Sequence, residues 1–376
     1  MSPRWPLLAF ALSAACSVGS DAPPPTTAPP QDEWDQKLDE RVVDYNAALR
    51  IAALRLTGEL PTLTEMSNVA TAADPKTAYA AQVKLYMAGP KFARQMFHFW
   101  QDTLKMGNDP QYDSAPAFAA QVTVENRPFT DVFTATTGTC PTFDIAAGTF
   151  TAANCNNGVA QATGLLTHPG VMKLFFSNLG FRRVRWIQEV FACTAFPAEL
   201  SLTEQDVQGA TPYTGTFPYV TAVASPPAGR IDFKDVRAQV CANCHSNINH
   251  IAPLLAHFDL NGQYQTAISV PTPLANNPVA VMTDYLPAGE PTAWRHGVLA
   301  PDIPTLGHDI ATDPVSANCV IARTWNWALG KSDIVDGGNR VPAATTQAIV
   351  DAFTANGYKL KDAIYSIFTS DDFVRF

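Results

Sequence analysis

The segment QVCANCHSNINH, residues 239–250, sets two thiols three positions apart with an imidazole directly after the second. On one helical turn, Cys241 and Cys244 come close enough for both sulfurs to bond the vinyl groups of a single haem, and His245 is then carried to the iron as its proximal ligand. The leading expectation is therefore one covalently held haem c on Cys241, Cys244 and His245. Other readings of the knot are a disulfide, a metal site or an inert relic of the motif. A structural zinc site needs four ligands in closed geometry, and the nearest extra imidazoles, His250 and His257, fit none of the common finger spacings. A thioredoxin-like dithiol calls for a βαβ setting, which the surrounding sequence lacks.

A sixth iron ligand is harder to place. His98, His168, His250, His257, His296 and His308 are available, and Met282 in AVMTDYLPAGE lies downstream, as distal methionines do in many small cytochromes. Met282, His168 and His257 are the distal candidates, and an open sixth position is the alternative. Each competes with a plainer role: a lone His is usually a hydrogen-bonded or exposed side chain, and His168 in LLTHPG reads first as part of a turn. Arg182, Arg183 and Arg185 could neutralise haem propionates or form a solvated helix face. Asp259 and Asn261 in FDLNGQ lack the remaining calcium-loop ligands and read as a simple turn. The chain has no Gly-rich phosphate loop, no H-E-x-x-H and no G-x-S-x-G, so hydrolase chemistry has no support.

Haem attachment of this type is completed outside the cytoplasm, and the N-terminus agrees. MSPRWPLLAFALSAACSVGSD carries Arg4, an apolar run from Leu7 to Ala15 too short to span a bilayer, and small residues before Cys16. Residues 1–15 read as a signal peptide. LSAAC resembles a lipobox, with Leu12 one place further from Cys16 than usual, so cleavage and lipidation at Cys16 are expected. Residues 16–36 are Pro-rich and read as a tether. The expected location is exported, as a periplasmic or outer-membrane or cell-surface lipoprotein. In that compartment the four remaining cysteines should pair. Four allow three pairings, and Cys140–Cys155 with Cys193–Cys319 is the expected one.

Composition bounds the body. With 25 Lys and Arg against 34 Asp and Glu, the formal charge is -9. The pI is near 5.2. No electrostatic footprint for nucleic acid exists. An apolar fraction of 47% against 16% charged leaves ample material for a core.

The elements that must position the knot read mostly as helices. From Leu38, the positions Val42, Tyr45, Leu49, Ala52 and Leu56 recur at spacings of four and three, until Gly58 and Pro61 end the run. Thr62 and Glu65 stand at capping-box spacing, and Asp74 with Pro75 opens a helix that closes at Gly89. A further helix from Pro90 carries Phe92, Met96, Phe99 and Trp100 on one face. Residues 111–160 are rich in Thr, Gly, Asn and Pro and read as an irregular insert. Helical patterns return at VRWIQEVFAC, around Cys241, after Asn318, and at KLKDAIYSIFTSDDF with its stripe of Leu360, Ile364 and Ile367.

Several stretches carry a resemblance. LRLTGELPTLTEM and MAGPKFARQMFHFWQDTLKMG, then GLLTHPGVMKLFF, RWIQEVFACTAFP and CANCHSNINHIAPLLAHFDLNGQYQ, then YLPAGE, NCVIARTWNWALGKSD and NGYKLKDAIYSIFTSDDFVRF are similar to modules of the secreted planctomycete-type cytochrome-like proteins. Those proteins string helical modules of unknown function around a C-x-x-C-H module, often with a longer N-terminal portion bearing a further cytochrome module. They usually read Asp-Pro where this chain has Asn249 and His250. The resemblance implies a mainly α, multi-helix body with a cytochrome c-like haem-motif module and long irregular loops. Its parts are an N-terminal helical module at 37–110, the insert at 111–160, the haem-motif module at 161–270, connecting loops at 271–310 and a C-terminal helical module at 311–376. The function expected is electron transfer with a redox partner protein, on a membrane-tethered chain. The alternatives are a peroxidase- or oxygenase-like haem enzyme with an open sixth site, and a haem-free, disulfide-stapled surface protein that binds or scaffolds.

Overall fold

Capping residues mark out the first helices. The computed structural model describes residues 37, 39–107, 109–194, 239–286, 288–295, 298–335 and 341–376, with backbone alone at 239–244 and 246. The expected signal peptide, the tether and Cys16 lie outside these residues. Helix α1 spans Tyr45–Thr57. Asp44 Oδ1 accepts the amides of Asn46 and Ala47, each at 2.9 Å, so the helix starts there although the apolar period begins at Leu38. It ends at Gly58, whose φ of 77° suits a residue without Cβ. In α2, Leu63–Ala70, the Thr62 amide donates to Glu65 Oε2 at 2.7 Å, which completes the expected capping box. Asp74 caps α3, Pro75–Ala88, and α4, Pro90–Thr103, buries Phe92, Met96, Phe99 and Trp100.

The region expected as an irregular insert holds a core helix instead. Helix α5, Ser114–Val124, is buried from Ala115 to Thr123 and packs along α4, with Trp100 Nε1 donating to Thr123 Oγ1 at 3.0 Å. Its sequence, SAPAFAAQVTV, is small and apolar all round, so it presents no stripe for a periodicity argument to find. After a short helix α6, Asp131–Thr134, the chain forms an antiparallel hairpin of β1, Thr142–Asp144, and β2, Thr149–Thr151. Phe143 stacks on Phe150 at 4.7 Å and lies 4.9 Å from Phe97, which fastens the hairpin to α4.

The second half continues with packed helices: α7, Pro169–Leu174; α8, Phe181–Phe191; α9, Gln239–Leu255; α10, Ile303–Thr312; α11, Pro314–Ala328; α12, Ala343–Ala355; and α13, Leu360–Thr369. A small hairpin of β3, Ala293–Arg295, and β4, Val298–Leu299, sits before α10. The stretch 271–310 is thus more than connecting loops. It includes this hairpin and most of α10, which Asp302 caps at the Thr305 amide and which runs across the expected boundary at 311. The fold is mainly helical, as the periodicities imply, and strands among the described residues are confined to the two hairpins. Leu360, Ile364 and Ile367 are buried.

Two buried guanidinium groups lock these elements together. Arg183 on α8 donates to the carbonyls of Met172, Leu255, Phe258 and Asp259, joining α7, α8 and the end of α9. Arg323 on α11 donates to the carbonyls of Val190 and Glu189 and to Asp333. Both expected disulfides are present, Cys140–Cys155 and Cys193–Cys319. The first closes the base of the β1–β2 hairpin, and the second staples the end of α8 to α11. The FDLNGQ segment is a turn in which Asp259 Oδ1 accepts the amides of Asn261 and Gln263. At Gly262, with φ of +74°, a Cβ would stand 2.2 Å from the Pro169 carbonyl oxygen.

Candidate functional site

Helix α9 carries the whole C-x-x-C-H motif on its first turns. At about 100° per residue, positions 241, 244 and 245 fall within roughly 100° of the helix circumference, so one face presents them together. The side chains of Cys241 and Cys244 lie outside the described residues. His245 is described, and its ring is held from two sides. Phe181, the first residue of α8, meets it edge-on at 5.1 Å. Its Nδ1 lies 3.0 Å from Oδ1 of Asn249, one turn further along α9.

The direction of that hydrogen bond follows from the next partner. Asn249 is fully buried and its Nδ2 donates to the Tyr285 carbonyl at 3.0 Å, which leaves Oδ1 as the atom facing His245. A carboxamide oxygen only accepts, so His245 Nδ1 carries the proton. Nε2 is then the nitrogen with the lone pair, the form that binds a metal. Burial pushes the His245 pKa down, partly offset by the Asn249 hydrogen bond, and keeps the ring neutral at pH 7. Tyr285 closes the back of the site: its ring is buried, meets Phe181 at 5.9 Å, and its hydroxyl has no hydrogen-bond partner among the described residues. Burial pushes its phenol pKa up, so the hydroxyl stays a donor.

The distal candidates separate in space. Met282 begins the 3₁₀ turn Met282–Asp284 and is 48% exposed, three residues ahead of Tyr285, whose carbonyl accepts from Asn249. His257 follows the end of α9, and twelve residues at 1.5 Å each put it about 18 Å along the axis from His245. That span exceeds what two ligands of one iron can bridge. His257 instead donates from Nδ1 to the Gln265 carbonyl at 3.0 Å and stacks on Tyr264. His168 is also engaged elsewhere, as set out below. Of the other imidazoles, His250 is buried against Glu290 at 3.3 Å, His98 is exposed and bonds Gln101, His308 is exposed, and His296 lies outside the described residues. The propionate reading of the arginines fails for Arg183, whose donors are committed to carbonyls. Arg185 pairs with Glu189 at 2.7 Å, and Arg182 lies over the Phe175 ring.

A second cluster surrounds His168, which the sequence pointed to only as a turn residue or distal ligand. His168 caps α7, its Nδ1 accepting the Gly170 amide at 3.1 Å. The ring is 1% exposed, and burial pulls its pKa down to about 3, so it is neutral with its one proton on Nε2. That N–H faces Cys140 Sγ at 3.3 Å and Ser114 Oγ at 3.2 Å. Ligand atoms of Cys140, Cys155 and His168 lie within 4.8 Å of one another, a spacing a metal ion could use. With the sulfurs joined, Nδ1 occupied and the proton on Nε2, His168 has no lone pair to give a metal or a haem iron here. The group forms a hydrogen bond to sulfur instead.

Among the described residues, no helix is long and apolar enough to cross a membrane. Compared with known proteins, the chain matches no family model, no curated protein and no solved structure.

Proposed function

We propose that the chain is an exported, mono-haem, c-type cytochrome-like protein, tethered to a membrane through Cys16, that exchanges electrons with a redox partner protein. The observation that supports this most is the locked ring of His245. Its tautomer is set by Asn249, which is itself set by the Tyr285 carbonyl, so the ring carries its lone pair on Nε2, the tautomer that ligates iron, immediately after the two motif cysteines. Haem c bound there would supply a one-electron iron couple. Cys241 and Cys244 would hold it by thioether bonds and His245 Nε2 by axial ligation. The buried Tyr285 hydroxyl, unpartnered among the described residues, offers a donor to a polar edge of the group. An amide at Asn249 polarises the imidazole less than a carboxylate would, which favours the reduced state of an iron ligated by His245.

The test is the visible spectrum and denaturing-gel pigment of protein matured with haem-attachment machinery. The pigment should remain with the denatured chain, since thioether bonds survive unfolding, and Cys241→Ala with Cys244→Ala should abolish that retention. His245→Ala should leave attachment possible and alter the Soret band. A sharp low-spin reduced spectrum indifferent to carbon monoxide supports the electron carrier; a high-spin iron that binds carbon monoxide and reacts with peroxide would point to a haem enzyme. A colourless wild type would remove the haem reading altogether.

A further inference from the structure

The Cys140–Cys155 disulfide differs from its counterpart in what surrounds its sulfurs. Of the other pair, Cys319 is buried, with Arg323 Nη1 3.6 Å from its Sγ, and Cys193 alone is partly exposed. Cys140 and Cys155 are both partly exposed, and Cys155 stands between the exposed Asn154 and Asn156, whereas Cys140 stands between the buried Thr139 and Pro141. Cys155 is therefore the sulfur an external reagent reaches first. Its own polar contact is a donation from Thr139 Oγ1 at 3.3 Å.

On the inner side, the His168 Nε2–H is aimed at Cys140 Sγ, with Ser114 Oγ as its other neighbour. A disulfide sulfur is a weak acceptor, so this donor is poorly used while the bond is intact. A thiolate at Cys140 would accept a charge-assisted hydrogen bond from it, which is far stronger. An interaction that strengthens on reduction makes the bond easier to open and improves Cys140 as a leaving group. The amide of Gly170 holds the ring in the orientation this requires.

We propose that Cys140–Cys155 is a thiol–disulfide exchange site, opened by dithiol reductants through attack at Cys155. In the first step a reductant thiolate bonds Cys155 Sγ, the Sγ–Sγ bond breaks, and its electron pair leaves on Cys140, which His168 Nε2–H receives. The reductant's second thiol then resolves the mixed disulfide, so two electrons and two protons pass to the protein and the reductant leaves as a disulfide. Opening frees the base of the β1–β2 hairpin while Phe143, packed on Phe97, keeps the hairpin attached. The site does not depend on haem.

The experiment uses the full chain under native conditions. Reduction by dithiothreitol is sampled by acid quench, alkylation and peptide mapping, and glutathione is used to trap the mixed disulfide. Cys140–Cys155 is expected to open well ahead of Cys193–Cys319, with the glutathione adduct on Cys155. His168→Asn keeps a side-chain oxygen to cap α7 at the Gly170 amide and removes the Nε2 donor, so opening should slow about tenfold, whereas His168→Gln, which restores an N–H, should recover much of the rate. Opening no faster than that of Cys193–Cys319, an adduct on Cys140, or wild-type kinetics in His168→Asn would each overturn the proposal. Should His168→Asn fail to fold, the adduct position and the order of opening in the wild type still decide it.

Discussion

Two imidazoles in this chain are locked in opposite tautomers by their neighbours. At His168 a backbone N–H occupies Nδ1 and leaves a donor at Nε2; at His245 a carboxamide oxygen takes the Nδ1 proton and leaves a lone pair at Nε2. One ring is thereby a hydrogen-bond donor to sulfur and the other carries its lone pair on Nε2, although both are neutral. The buried neutral state of His168 has a cost in acid. In the unfolded chain it takes up a proton near its ordinary value of 6.5, whereas in the folded protein burial delays this to about 3. The stabilising contribution is complete above the unfolded value and is lost as pH falls through the window between the two. Each pH unit in that window should weaken the folding equilibrium about tenfold through this residue. Urea unfolding of wild type and His168→Asn at neutral pH and at pH of about 4.5 measures it: the wild type should lose about a hundredfold more in folding constant than the variant, since about two pH units of that interval lie below the unfolded value of 6.5. Parallel curves would show that His168 is not held neutral.

At the level of elements, α8 is the hub. Its Arg183 gathers carbonyls from α7 and from the end of α9, and the disulfide at Cys193 with the Arg323 donors joins its C-terminal end to α11. Through Phe181 it also supports the His245 ring. The Cys193–Cys319 bond closes a sequence separation of 126, against 15 for Cys140–Cys155, so it restricts the unfolded chain more. Cys193→Ala with Cys319→Ala should lower stability by about 2–5 kcal/mol and steepen the denaturant dependence, because a less constrained unfolded chain exposes more surface. Equilibrium unfolding of the oxidised proteins checks both. A loss under 1 kcal/mol, on the order of a surface substitution, would mean that the arginine ties already hold α8 to α11.

For the whole molecule, the two disulfides accord with an exported body, and the proposed membrane connection rests on Cys16, no helix among the described residues being long and apolar enough to span a membrane. Cys16→Ala should move the protein from the membrane fraction to the soluble fraction and leave its unfolding midpoint unchanged, because a Pro-rich tether contributes no core contacts. Fractionation of the expressing cells with thermal melts of the released protein tests this. A wild type already soluble after signal cleavage would remove the lipid anchor from the proposed function.

Local signals were enough wherever a single residue type does a local job. Thr62, Glu65, Asp74 and Gly58 cap their helices as their positions in the chain imply, and the stripes of α4 and α13 are buried, since caps and amphipathic faces are written in spacings of a few residues. The even number of cysteines pointed to two disulfides, and the structure selects the expected pairing among the three that four cysteines allow. Helix α5 was hidden because an element apolar on every side has no period to show. The fate of His168 and Arg183 was hidden for another reason. Their partners are Cys140 and Ser114 for the one and the carbonyls of Leu255 and Phe258 for the other, dozens of residues away. The same holds at the haem motif: Cys241, Cys244 and His245 announce a chemistry by their spacing, but which nitrogen of His245 carries the proton depends on Asn249 and on a carbonyl at Tyr285. Only tertiary packing brings that carbonyl to the helix, because a hydrogen-bond donor can be assigned only when both of its ends are in place.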